Sequence, residues 1–131
     1  MTRFAYICRD GRCVLRADGH ADFCPGSDIV CAGASALMCA LAGALDTLGA
    51  QGVQRTLSAG HAAIAADDRT DVRAAFTVAV TGLRQLAEAY PGHVAEDTGP
   101  RPRTGGTQRQ HSGRVLPRRC PRKRTAEKKE P

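Results

Sequence analysis

RFAYICRDGRCVLRADGH, residues 3–20, is the stretch whose reading decides the fold. Two β-prone runs flank Asp10-Gly11, a dipeptide that supplies the two positive-φ positions of a tight hairpin turn. The register that follows sets Arg9 opposite Arg12 and Cys8 opposite Cys13. Facing cysteines admit two readings, a redox pair or two small apolar residues on a half-buried face, and the second is the expectation. A hairpin with one apolar face needs a covering layer, so the rest of the chain must supply it.

Downstream, Pro25, Gly26 and Ser27 interrupt the chain. A helix is expected from Asp28 to about Leu48, ended by Gly49 and Gly52. Val30, Leu37, Leu41, Leu45 and Leu48 form its main apolar stripe, and the remaining faces are small or apolar enough to need cover from the sheet, a second helix or another subunit. Residues 53–66, VQRTLSAGHAAIAA, read as one strand kinked at Gly60. From Asp71 to Tyr90, Val72, Phe76, Ala79, Val80, Leu83, Leu86, Ala87 and Tyr90 recur at helical spacing, with Thr70 as the expected N-cap. Pro91 and Gly92 stop that helix, and HVAED offers a short final strand. The architecture expected is α+β, two helices on one face of a sheet of three to five strands, in a domain covering residues 1–97.

Composition fits one small domain: 131 residues, 42% hydrophobic, 4% aromatic and no tryptophan. The net charge of +6 is unevenly placed, for residues 1–98 hold 8 basic and 11 acidic side chains while residues 99–131 hold 11 basic and 2 acidic. The segment 98–131 has most of the prolines and no apolar period, so disorder is expected there. Its residues 101–129 are suited to weak contact with RNA or the ribosome through phosphate; a solubilising extension with no partner is the alternative. The first residues carry charge at once and lack the apolar core of a secretory signal. Residues 29–45 are nearly uncharged and at the short end of a spanning length, yet they are mostly Ala and Gly and closely bounded by Asp28 and Asp46, which favours a buried helix over a membrane span. The 6 cysteines include no C-x-x-C pair, so no metal site is expected and the thiols are expected to stay free in a reducing cytoplasm.

The segment between the hairpin and the first helix carries the chemistry. With Asp28 as N-cap, Cys31 is the third helical residue, where unpaired N–H groups and a partial positive charge favour an anion, and the thiolate is the nucleophilic form of cysteine. His20 ends the second strand after Gly19, on a loop short enough to fold back over the helix start. A thiol, an imidazole and helix-start N–H groups are a nucleophile, a general base and an oxyanion site. Ser35 lies one turn beyond Cys31 on the same face; it would bond to the site or simply to a backbone carbonyl one turn back. From residue types alone a packing role for Cys31 stands beside the catalytic one. Cys24 is read as a loop thiol and Cys39 as core, and His61, His93 and His111 have no companion group at useful spacing.

GHADFCPGSDIVCAGASAL, residues 19–37, resembles the signature of the ribosomal-processing cysteine proteases called Prp, and GLRQLAEAYPGHV, residues 82–94, resembles their second helix and its exit. The resemblance covers residues 3 to about 97 and not the basic segment. It implies that Cys31 is the nucleophile and His20 the base, with Gly19, Asp28 and Ser35 shaping the site. It also implies a cytoplasmic homodimer with no cofactor, whose substrate is the N-terminal extension of a large-subunit ribosomal protein precursor of the L-twenty-seven type. Two departures stand out: the loop from His20 to Cys31 is one residue shorter and carries Cys24 and Pro25, and the helix reads Cys-Ala-Gly-Ala-Ser. Two other functions fit some of the same residues, a non-catalytic RNA- or ribosome-associated protein and a thiol-dependent hydrolase of small molecules.

Overall fold

The computed structural model describes residues 1–98; the expectations for the basic segment, and for His111 and Cys120 within it, lie outside the described residues. Seven elements follow in order: β1 (Thr2–Arg9), β2 (Arg12–Asp18), α1 (Ile29–Thr47), β3 (Gln54–Ser58), β4 (His61–Asp67), α2 (Thr70–Ala89) and β5 (Val94–Glu96). The sheet has 5 strands in the order β3-β4-β2-β1-β5, antiparallel except for the β1–β5 pair. Each helix crosses from one strand to a strand elsewhere in the sheet. The α+β class, with two helices packed against one sheet, is as the sequence implies.

The hairpin forms in the expected register, with Arg9 facing Arg12 and Cys8 facing Cys13, and Asp10 and Gly11 take the positive φ angles the turn needs. Alternation then puts Phe4, Cys13, Leu15 and Ala17 on the face covered by the helices. Ile64 and Ala66 of β4 continue that face. From above, α1 contributes Val30, Met38, Leu41 and Leu45, and α2 contributes Val72, Phe76, Val80 and Leu83. The two helices approach closely because Gly82 has no side chain: a Cβ there would lie 2.6 Å from Leu37 Cδ2. A bidentate pair from Arg84 to Glu96 at 2.7 and 2.8 Å ties α2 to β5.

Four expectations need correction. Residues 53–66 are two strands joined by a tight turn at Ala59-Gly60; Gly60, at φ +72°, marks a reversal where a kink was expected. The N-cap of α2 is Arg69, and Thr70 is the first helical residue. Cys8 and Cys13 are joined by a disulfide, because the non-hydrogen-bonded position next to a two-residue turn brings facing side chains close together. Cys39 is exposed and free, since α1 buries one stripe and leaves Ile29, Ser35, Ala36 and Cys39 outside; Leu48 is exposed as well. By length and composition α1, with a mean hydropathy of 1.8, passes for a membrane span; its apolar stripe is spent on the sheet and α2.

Candidate active site

Gly19 is the first element of the site. It follows β2 at φ +93°, and a Cβ there would lie 2.4 Å from the Met1 carbonyl oxygen, so only glycine fits this turn against the start of β1. Its N–H donates to Gly60 O at 2.8 Å, fastening the end of β2 to the β3–β4 turn. The next residue, His20, lays its ring over Gly60, where a Cβ would meet Nε2 at 2.7 Å. Gly60 is therefore a site residue that sequence reasoning missed. The signal was present as Ala59-Gly60 before an alternating run, read as a kink.

The loop from His20 to Cys31 is held from both sides. His93 Nδ1 lies 2.7 Å from Ala21 O; since a carbonyl only accepts, that nitrogen carries the proton. Phe23 packs edge-on between Tyr90 and His93, with ring centroids at 5.1 and 5.2 Å. His61 pairs through Nδ1 with Asp18 across β4 and β2. His93 and His61 thus do have companions, supplied by tertiary contacts that sequence spacing does not show.

Asp28 organises the helix start, and it is the N-cap the sequence implies. Its Oδ1 accepts from Val30 N–H at 3.0 Å and Cys31 N–H at 2.8 Å, and its Oδ2 from Phe23 N–H at 3.0 Å. Burial alone would raise this carboxyl, but those three N–H groups and the nearby His93 outweigh it and lower its pKa. These contacts decide which helix-start N–H groups are already occupied. Asp28 accepts the N–H groups of Val30 and Cys31, and its carbonyl accepts that of Ala32 at 3.0 Å, which leaves Ile29 N–H as the first-turn donor without an acceptor among the described residues.

Cys31 is half-buried and free. With Gly19, Ser35, Gly60, Met38 and Thr2 it lines a cavity of about 50 Å³ between α1 and the sheet. The structure thus gathers Gly19, Cys31 and Ser35 around one space, with His20 stacked on the glycine of its wall and Asp28 at the end of the helix that carries Cys31. Ser35 is exposed at the mouth.

The family model for the cysteine protease Prp matches residues 1–95. Among solved structures, the essential ribosomal processing protease Prp from S. aureus, in complex with a covalently linked product peptide, superposes with a TM-score of 0.66 at 26% identity, covering 73% of this chain and 97% of that one. SMU.848 from Streptococcus mutans superposes with a TM-score of 0.58 at 28% identity, covering 73% and 91%. A further S. aureus Prp structure, holding a substrate peptide, shares the fold at 23% identity and a TM-score of 0.58. No curated protein matches the chain.

Proposed function

Since this chain belongs to the cysteine protease Prp family, we propose that its ribosomal processing activity runs through a Cys31–His20 dyad and removes the N-terminal extension of a large-subunit ribosomal protein of the L-twenty-seven type. The observation that carries the reading is the convergence of Gly19, Cys31 and Ser35 on one cavity whose glycine wall holds the His20 ring. The S. aureus protein that shares 26% identity along 97% of its length was captured with a product peptide covalently attached, as a cysteine nucleophile requires.

In this mechanism His20 takes the thiol proton, and the Cys31 thiolate adds to the scissile carbonyl. Ile29 N–H is the helix-start donor available to the oxyanion, because the Asp28 carboxylate occupies its neighbours. Collapse of the tetrahedral intermediate breaks the C–N bond, and the departing amine takes the proton back from His20. Water, deprotonated by the same imidazole, then releases the acyl group and restores the thiol. Asp28 and Gly19 position the two groups and take no part in proton transfer.

The same reading carries three further elements. The protein works in the cytoplasm as a homodimer, for which an apolar patch between the helices, with Val78 71% exposed beside Leu37 and Ala40, offers a surface. The loop from Ala21 to Ser27 moves at its exposed Pro25-Gly26 tip when substrate arrives. The basic residues of 101–129 make weak contact with RNA at the ribosome.

Mass spectrometry of the precursor from the same organism, after incubation with wild-type protein and with Cys31→Ala, tests the proposal. A single cut near the precursor N-terminus by wild type alone is expected. An uncut precursor that carries an authentic extension, with the protein folded, would overturn the substrate assignment.

A further inference from the structure

His20 is exposed, and its ring nitrogens have no hydrogen-bond partner among the described residues. A histidine that serves as a base is ordinarily aimed by a third group bonded to its other nitrogen. Here the aim must come from the main chain that carries the ring. That main chain is tied on both sides. Before His20, Gly19 N–H donates to Gly60 O at 2.8 Å, and the ring lies over the same Gly60. After it, Ala21 O accepts from His93 Nδ1 at 2.7 Å. The first tie joins two main chains, whereas the second rests on one side chain.

His93 is itself fixed between the end of α2 and the start of β1. Its carbonyl accepts from Thr2 N–H at 2.8 Å, and its N–H donates to Tyr90 O at 3.1 Å. Its ring stands edge-on to Phe23, with centroids 5.2 Å apart. The side chain thus makes two separable contacts, a hydrogen bond to Ala21 O and ring packing on Phe23. Only the bond acts on the residue next to His20. Ala21 is 1% exposed, so losing the donor leaves a buried carbonyl unpaired. Asp22, the next residue, holds φ +52°, a left-handed backbone that is unfavourable for a residue other than glycine. The chain therefore relaxes at Asp22 when Ala21 O is set free, and the main chain of His20 moves with it.

We infer that His93 is a positioning residue for the reaction: its Nδ1–H, by holding Ala21 O, fixes the main chain that carries His20 and keeps that imidazole in place to take the thiol proton. This rests on the proposed Cys31–His20 dyad. His93 does not line the Cys31 cavity and takes no part in proton transfer. Displacing a reacting group by about 1 Å costs up to about a hundredfold in rate, so one hydrogen bond at the neighbouring peptide is enough to show in turnover. The loss belongs to kcat more than to KM, because the base is needed in the transition state and not for holding the peptide.

The test uses two substitutions in the full chain that divide the contacts of this side chain. His93→Phe keeps a ring against Phe23 and removes the donor, while His93→Asn places an amide N–H where Nδ1 stands and gives up the ring. Precursor cleavage, thermal melting and the pH profile of Cys31 labelling by iodoacetamide, read by peptide mass, are compared with wild type and His20→Ala. His93→Phe is expected to lose about tenfold in kcat with KM within about twofold of wild type, and its labelling profile to shift toward that of His20→Ala. His93→Asn recovers both. A His93→Asn enzyme as slow as His93→Phe, with loss that follows melting temperature, marks a purely structural histidine and overturns the inference. So does a His93→Phe enzyme with wild-type kcat. NMR of the wild-type imidazoles needs no variant to fold: the Nδ1–H tautomer is expected for His93, and the Nε2–H tautomer would overturn the inference. If His20→Ala cleaves as fast as wild type, the dyad reading falls and the inference with it; if His20→Ala is inactive while His93→Phe is not slowed, the inference falls alone.

Discussion

Replacing Asp28 with alanine removes three hydrogen bonds at once, and the size of the loss follows from their geometry. Two of them, to Val30 and Cys31 N–H at 3.0 and 2.8 Å, are the cap of α1, and losing such a cap costs about 0.5–2 kcal/mol. The third, from Phe23 N–H at 3.0 Å, is charge-assisted and contributes about 1.5 kcal/mol or more. The expected destabilisation of Asp28→Ala is about 2–3 kcal/mol, or about 10 °C or more in melting temperature for a domain of this size. Asp28→Asn keeps an oxygen for the cap but turns an amide toward Phe23 N–H, so it falls between wild type and alanine. The carboxyl has a lowered pKa in the fold, which fixes the sign of the pH dependence. Its contribution is complete above the ordinary aspartate range near pH 4 and is lost as pH falls through the lower folded value. The gap between wild type and Asp28→Ala therefore closes below about pH 4. Thermal melts of the full chain at pH 7 and at steps below pH 4 provide the assay. An alanine variant melting within about 2 °C of wild type at pH 7, or a gap that widens in acid, would refute the reasoning.

Gly60→Ala is expected to lower kcat/KM at least tenfold by pushing the His20 ring, since its Cβ would lie 2.7 Å from Nε2; Gly11→Ala, at nearly the same φ of +74° with nothing within 4 Å, carries the backbone strain alone and should keep its activity in the same peptide assay. Phe76→Ala empties a fully buried site stacked on Tyr6 at 5.9 Å between centroids, and urea unfolding should show a loss of about 3–5 kcal/mol.

Local rules were enough wherever one residue type dictates a backbone state. Asp10-Gly11 set the hairpin register, and Asp28 before an apolar run set the first helix and so the third-position placement of Cys31. The amphipathic period of residues 71–90 fixed the buried face of α2. What escaped sequence reading depends on contacts distant along the chain. Gly60 matters because His20 lies on it from 40 residues away, and no spacing rule links the two. The partners of His61 and His93 come from strand pairing and from the loop over α2. The Asp28 cap on the Cys31 N–H was legible from its place before the apolar run, whereas the second bond of the same Oδ1, to Val30 N–H, and that of Oδ2 to Phe23 N–H follow only from the folded loop.

The most direct test of the central claim is to trap the covalent intermediate. Wild-type protein, Cys31→Ala and His20→Ala are mixed with the precursor, acid-quenched within the first turnover, digested and mapped by mass spectrometry. The account predicts a peptidyl adduct on Cys31 of the wild type, none on Cys39, and none in either variant, with both variants folded. An adduct on Cys39, or undiminished acylation of Cys31 in His20→Ala, would contradict it.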